Sequence, residues 1–333
     1  MKISINKGRL VLTMMALFLY CGYAMAETAE NKLIRLRNQM AVTQNTAEQK
    51  QILQEVGTTG TFPAMMFAAG YLDNAALKKV AAKAVVDIAT KHIEYNGKNT
   101  REVLAKAAKL VGGADKKRAE AYLMIMPQDE EGFVSLFNGK DLTGWKGLVE
   151  NPIRRAQMSA DEMAKAQEKA DELMRQDWVV KDGCLSYIGH GGDNLCTVGQ
   201  YGDFELLVDW KLDPSGKEPD AGIYLRGTPQ VQIWDIARVN VGAQCGSGGL
   251  YNNQKNPSQP TSVADNKLGE WNTFHIKMVG ERVTVIFNGV KVVDNVVLEN
   301  YWDRNQPIFP IEQLELQAHG SKTYFRDIYV KKL

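Results

Sequence analysis

The stretch YGDFELLVDWKLDPSGKEPDAGIYLRGTPQVQIWD, Tyr201–Asp235, constrains the fold more than any other part of the chain. In Phe204–Trp210 the residues Phe204, Leu206, Val208 and Trp210 recur at every second position, the period of a strand with one buried face. Glu205 and Asp209 fall on the opposite face. After the turn residues Asp213-Pro214-Ser215-Gly216, the same alternation returns in Ala221, Ile223 and Leu225, with Tyr224 and Arg226 on the other side. Beyond Gly227-Thr228-Pro229, Val231 and Ile233 point inward while Gln230, Gln232 and Trp234 point outward. Three such runs joined by turns predict a β architecture. They also place carboxylates, a guanidinium, amides and an indole on one sheet surface.

The rest of the chain divides by composition. Residues 1–26 have the form of an export leader: Lys2, Lys7 and Arg9, an apolar centre Leu10–Tyr20, and Ala24-Met25-Ala26 before Glu27. The apolar centre is short for a membrane span, and no later segment is long and apolar enough to provide one. Cleavage after Ala26 and release to a periplasm or beyond are the expectation. Residues 27–127 read as an all-α domain. Leu33, Ile34, Leu36 and Met40, then Leu77, Val80, Ala81, Ala84, Val85 and Ile88, repeat at helical spacing between glycine stops. Short alanine-rich helices in series suit either a HEAT-like stack or a plain bundle. Nothing there carries chemistry, and His92 reads as a surface or packing residue.

The polar stretch Pro127–Gly132 marks a domain boundary, and residues 128–333 read as β. A helical insertion interrupts them at about 153–177, where Ser159 and Glu162 form a capping-box pattern. Gly189–Asp193, with His190, is a polar loop. Gly242–Pro260 is a long loop containing Cys245 and Tyr251. Strands are expected at Trp271–Val279, Val283–Asn288, Lys291–Val297 and Tyr324–Lys331, with Asn288-Gly289 as a hairpin turn. Leu314, Leu316 and Ala318 alternate with Glu315, Gln317 and His319. The predicted fold is mainly β, a jelly-roll sandwich behind a small helical domain. The 40 basic and 39 acidic residues balance to +1, which gives no electrostatic reason for nucleic acid as a partner. Of the four cysteines, Cys184, Cys196 and Cys245 read as small buried hydrophobes, with a Cys184–Cys196 disulfide open if the protein is exported.

Six segments in order, SLFNGKDLTGW, YGDFELLVDW, DAGIYLRG, VQIWD, GEWNTFHIKMVGERVTVIFNG and LELQAHGSKTYFRDIYVKKL, resemble the 3-keto-disaccharide hydrolase family across roughly residues 131–333. The resemblance implies a concanavalin A-like sandwich acting on sugars oxidised at carbon 3. The ketone acidifies the C2 hydrogen, a base removes it, and the C1 substituent is eliminated. That route needs a base, a cation or donor for the enolate, and an acid for the leaving oxygen.

His319, Asp235 and Glu205 are the candidates for acid and base work. Arg226, Gln232, Trp234, Gln317, Asp209 and Tyr251 are candidates for binding the sugar. Asp209, Asp235 and His319 are also candidate ligands for a divalent cation. Simpler readings stand beside these: Arg226 pairing with Glu205 or Asp209, His319 as strand-end packing, and Trp234 as core. Members of the family commonly carry a carboxylate where this chain has Gln230, and Asn-Ser-Gly where it has Asp220-Ala221-Gly222, which shifts the base role toward His319, Asp235 or Glu205. The rival function is a lectin-like module that binds carbohydrate without cleaving it.

Overall fold

The computed structural model describes residues 26–189 and 191–333. The proposed leader, apart from Ala26, and His190 lie outside the described residues. The chain opens with α1 (Ala29–Val42), α2 (Thr46–Val56), α3 (Phe62–Ala69), α4 (Lys78–Lys91), α5 (Lys98–Ala108) and α6 (Gly113–Ile125). Thr28, Asn45 and Thr61 cap the first three, each side chain accepting from a backbone N–H of the first turn. In α4 the small residues Ala81, Ala82, Ala84 and Ala89 are buried together with Val85, Val86 and Ile88. Small side chains on most sides let neighbours approach, and α4 packs against α2, α3, α5 and α6. Of the two helical arrangements, this is a bundle around a central helix.

The β part begins with β1 (Val134–Ser135) and β2 (Trp145–Gly147). After α7 (Pro152–Gln157) and α8 (Ala160–Asp177) come β3 (Trp178–Lys181), β4 (Cys184–Tyr187), β5 (Leu195–Thr197), β6 (Phe204–Leu212), β7 (Asp220–Leu225) and β8 (Thr228–Trp234). Then follow β9 (Asn272–Val279), β10 (Arg282–Phe287), β11 (Val290–Val297), β12 (Glu315–Leu316) and β13 (Thr323–Lys332). They form two antiparallel sheets. One runs β11-β10-β9-β6-β13-β4-β3, with β1 paired to β13; the other runs β2-β5-β12-β7-β8. Leu206, Val208 and Trp210 of β6 meet Ile223, Leu225, Val231 and Ile233 of β7 and β8 in a common core, so the two sheets pack face to face as a sandwich.

This pairing decides where the opening stretch puts its charges. β6 belongs to one sheet, β7 and β8 to the other. Both turn their apolar faces into the same core, so their polar faces must leave on opposite sides of the sandwich. The polar face of β6 is covered by the helices: Leu207 and Tyr329 join the helical core, and Tyr329 meets Phe62 edge-on at 5.1 Å. A bulge in β13 between Arg326 and Tyr329 places Asp327 at φ 50°, with its carboxylate toward Arg37 of α1. Arg37 also reaches Asp209, 3.5 Å away, and stacks over Phe67.

The helical insertion is clamped to the free edge of the five-stranded sheet. Gln167 donates to Gly147 O and Asp171 accepts from Gly147 N, both at 2.8 Å. A Cβ on Gly147 would meet Ala170 O at 2.1 Å, so only glycine permits this approach. The insertion thereby covers edge strand β2, a common protection for unpaired strand edges. The capping box forms as the sequence predicts, with Ser159 and Glu162 bonded reciprocally. Cys184, Cys196 and Cys245 are all free; Cys184 and Cys196 lie on different sheets, so the disulfide left open by the sequence is not made. Among the described residues no helix is long and apolar enough to cross a membrane.

Candidate active site

The outer face of the five-stranded sheet holds an open cleft of about 440 Å³. Its position follows from alternation. On β8, Val231 and Ile233 enter the core while Gln230 and Gln232 face outward. On β7, Asp220 and Tyr224 share that outward parity, with Gly222 between them. Past β12, Gln317 and His319 do the same. A Cβ on Gly222 would lie 2.9 Å from Gln317 Oε1 and 3.0 Å from Gln230 Cγ, so the missing side chain is what lets both side chains lie over the floor.

The floor is a directed hydrogen-bond chain. Gln230 Nε2 donates to Gln232 Oε1 at 2.5 Å, and Gln232 Nε2 donates to Asp220 Oδ1 at 2.8 Å. The other Asp220 oxygen accepts from Arg238 Nη1 at 2.8 Å. Burial raises the Asp220 carboxyl, and the charge of His319 with the Arg238 and Gln232 donors pulls it back. His319 itself is exposed at the rim. Gln317 Oε1 is buried and has no hydrogen-bond partner among the described residues, which suits it to accept from a ligand hydroxyl.

Aromatic rings form the walls. The Trp234 indole is nearly buried, donates to Gly246 O at 2.9 Å, and meets the half-exposed Tyr251 edge-on at 5.4 Å. Opposite stand Tyr301 and Trp302, ring centroids 4.9 Å apart, with the Trp302 indole tied to Gly227 O at 2.7 Å.

Further along the same sheet face lies a buried acid. Glu315 on β12 is 2% exposed, accepts from Asn194 Nδ2 at 3.1 Å, and is paired in register with Tyr224. Burial pushes its carboxyl from 4.5 up to about 7, and burial with this neighbour raises the Tyr224 phenol. A carboxyl raised in the folded state contributes stability that is full below its unfolded value and is lost as pH rises through about 7. Glu315→Gln is therefore expected to match the parent near pH 4 and exceed it at pH 8 by on the order of 3 kcal/mol. Urea unfolding across that range measures the difference; a parent-like pH slope in the variant would assign the buried proton elsewhere.

Of the residues singled out in the sequence, the fold brings Gln232, Trp234, Gln317, His319 and Tyr251 to the cleft, together with Gln230. It takes four others away. Glu205 lies on the helix-covered side of the other sheet, 3.0 Å from His275. Asp209 is buried on that same side, bonded by Thr273 at 2.6 Å and Arg326 at 3.1 Å. Arg226 and Gly227 form the two-residue β7–β8 turn with φ of 51° and 66°, the left-handed pair of a tight hairpin. The turn aims Arg226 into the protein, where it donates to Pro310 O and Met278 Sδ. Asp235 follows β8 and accepts from Ala237 N at 3.1 Å, outside the cleft lining. Asp209, Asp235 and His319 are thus not gathered around one point, and among the described residues no cluster of three metal-ligating side chains occurs.

Asp220, Arg238, Tyr224, Tyr301 and Trp302 were not identified as site residues from the sequence. Asp220 and Tyr224 carried the signal, since they share parity with Gly222 on the face opposite Ala221 and Ile223. Arg238, Tyr301 and Trp302 come from irregular segments whose sequence has no period to read.

The model of the 3-keto-alpha-glucoside-1,2-lyase-like domain matches residues 132–331. A curated 3-keto-disaccharide hydrolase from Bacteroides thetaiotaomicron is 23% identical over 269 residues, covering 65% of this chain and 84% of its own. Among solved structures, a protein of Parabacteroides distasonis assigned as a glycosyl hydrolase is similar at 23% identity and TM-score 0.43, over 61% of this chain and 94% of that one. The carbohydrate-binding module CBM66 of Bacillus subtilis is similar at 9% identity and TM-score 0.33, over 58% of this chain and 98% of that one. Because the family match runs from β1 into β13, over more than half of the sequence, the chain belongs to the 3-keto-alpha-glucoside-1,2-lyase-like domain family.

Proposed function

We propose that this protein cleaves glycosides whose sugar carries a ketone at carbon 3, and that the cleft over Gln230, Gln232 and Gln317 is where it does so. Family membership supports the glycoside-cleaving activity. The observation that carries the placement is the partly buried Asp220 carboxylate, held by Arg238 and Gln232 within reach of the charge of His319.

In this reading His319 takes the C2 proton, and the electron pair of that C–H bond forms the enolate of the C3 ketone. Asp220 holds the imidazolium that results. Arg238 and the amide of Gln230 face the enolate oxygen. Collapse of the enolate re-forms the C3 carbonyl and a C1–C2 double bond while the C1–O bond breaks. The leaving oxygen takes up a proton. Addition of water, hydroxyl to C1 and proton to C2, completes a net hydrolysis. Gln317 Oε1 accepts a sugar hydroxyl, and Tyr251, Tyr301 and Trp302 offer ring faces and edges to the sugar. The leader pattern of residues 1–26 supports export, to a periplasm or beyond.

The protein incubated with 4-nitrophenyl 3-keto-glucosides of both anomers is expected to release nitrophenol, and to leave the unoxidised glucosides intact. Saturable binding of either sugar without release would instead make the cleft a lectin-like site.

A further inference from the structure

The cleft does not end at Trp234 and Tyr251. A second, smaller lobe of about 120 Å³ opens behind them, and Gln232, Trp234, Val241 and Tyr251 line both. Beyond these four, the side lobe is walled by the backbone of Gly242, Gly246 and Gly249, with Cys245, Gln259 and Pro260. Not one described lining residue of the side lobe is an acid or a base, whereas the main cleft holds Asp220, Arg238 and His319. The glycines shape this lobe: a Cβ on Gly249 would meet Ser258 O at 2.5 Å, and one on Gly246 would meet Asp265 Oδ2 at 3.1 Å. Asp265 sits behind that wall, its carboxylate bonded by Ser247 N. Burial raises the Cys245 thiol.

A substrate occupying both lobes must carry its scissile bond across the four shared residues. The charged groups that can move protons all stand on one side of that line. We propose that the side lobe is the leaving-group subsite, and that it takes a compact, flat, uncharged group such as a phenol; this rests on the functional reading above. The indole of Trp234, the ring of Tyr251, Val241 and Pro260 supply apolar surface, and glycine backbone supplies close walls without a counter-charge. An anionic group there would be desolvated without a partner and would face Asp265 through the wall.

The test uses the full-length protein with phenyl and 4-carboxyphenyl 3-keto-glucosides. KM for the carboxylated substrate is expected to be about tenfold the higher, the size of an unpaired, partly desolvated charge. Gln259→Lys, exposed and on the side lobe alone, is expected to narrow that gap about threefold. A readout that needs no turnover is alkylation of Cys245 by iodoacetamide, followed by mass spectrometry. Free phenol, which stays uncharged at the alkaline pH of the labelling, is expected to slow labelling of Cys245 and not of Cys184, which lies on the other sheet. Equal KM values together with unprotected Cys245 would overturn the subsite while leaving the activity in place. Absence of release from every 3-keto probe would overturn the functional reading and the subsite with it.

Discussion

Asp220→Asn is expected to lower kcat/KM on a 3-keto glucoside by about 10²–10⁴-fold, the range in which a positioned proton-transfer group contributes. The side chain accepts on both oxygens, from Gln232 Nε2 and from Arg238 Nη1, each at 2.8 Å. Asparagine can keep one acceptor, but its amide then meets either a guanidinium or a second amide donor-to-donor. The variant also removes the negative charge that faces His319. Loss should fall mainly on kcat, because the sugar-binding amides and rings are untouched, and His319→Ala should show a loss of the same order. Steady-state kinetics of both variants, with thermal unfolding to confirm folding, measures this. Activity within threefold of the parent in both would move the chemistry out of this cleft.

The largest expected effect on stability lies on the opposite side of the sandwich. Arg37→Ala should cost about 3–5 kcal/mol, the range for breaking a buried ion pair from one side. Arg37 is the helical contribution to a network with Asp209, Asp327 and, through Asp209, Arg326. Its side chain is only 12% exposed. Burial works against its charge, yet the two carboxylates raise its pKa. Removing it leaves Asp327 without that partner and returns Asp209, itself raised by burial, to Arg326 and Thr273 alone. The double variant Arg37→Met with Asp327→Asn should recover much of the loss, since the cost comes from stranded charge more than from a missing attraction. Urea unfolding of the three proteins decides it. A single-variant loss below about 1 kcal/mol would reduce this network to the worth of a surface salt bridge.

Each prediction turns on one aspartate of the stretch Tyr201–Asp235, Asp220 in the first and Asp209, the partner of Arg37, in the second. Asp209 and Asp220 are eleven positions apart in the chain, each at the polar side of an alternating strand, and they look equivalent in the sequence. One is the buried anchor of a helical layer and the other the floor of a cleft. A period of two states that a side chain faces away from the core, and it does so correctly for Glu205, Asp209, Gln230, Gln232 and Gln317. It does not state which of two sheets the strand joins. The turn Asp213–Gly216 carries the chain from one sheet to the other, and the polar face that floors the cleft on β7 and β8 is covered by helices on β6.

Arg226 illustrates a second limit. The alternation of Ala221, Ile223 and Leu225 continues formally to Arg226, but β7 ends at Leu225 and a left-handed two-residue turn follows. Beyond the last paired residue the parity no longer predicts direction. Glu315 and Asp220 show the reverse case: the pattern places both outward, while their raised pKa values come from burial by chain segments far away in sequence.

By itself, then, the sequence determined the local terms: helices from 3.6-residue spacing and caps, strands from alternation, the Ser159–Glu162 box, and the outward parity of Gln230, Gln232 and Gln317. These depend on near neighbours whose side-chain directions are set by backbone geometry. Only the tertiary structure decided that Arg238, Tyr301 and Trp302 complete the cleft and that Glu205, Asp209, Arg226 and Asp235 do not. Sheet assignment, turn direction and the burial that shifts a carboxyl arise from contacts between distant segments, and no local period encodes them.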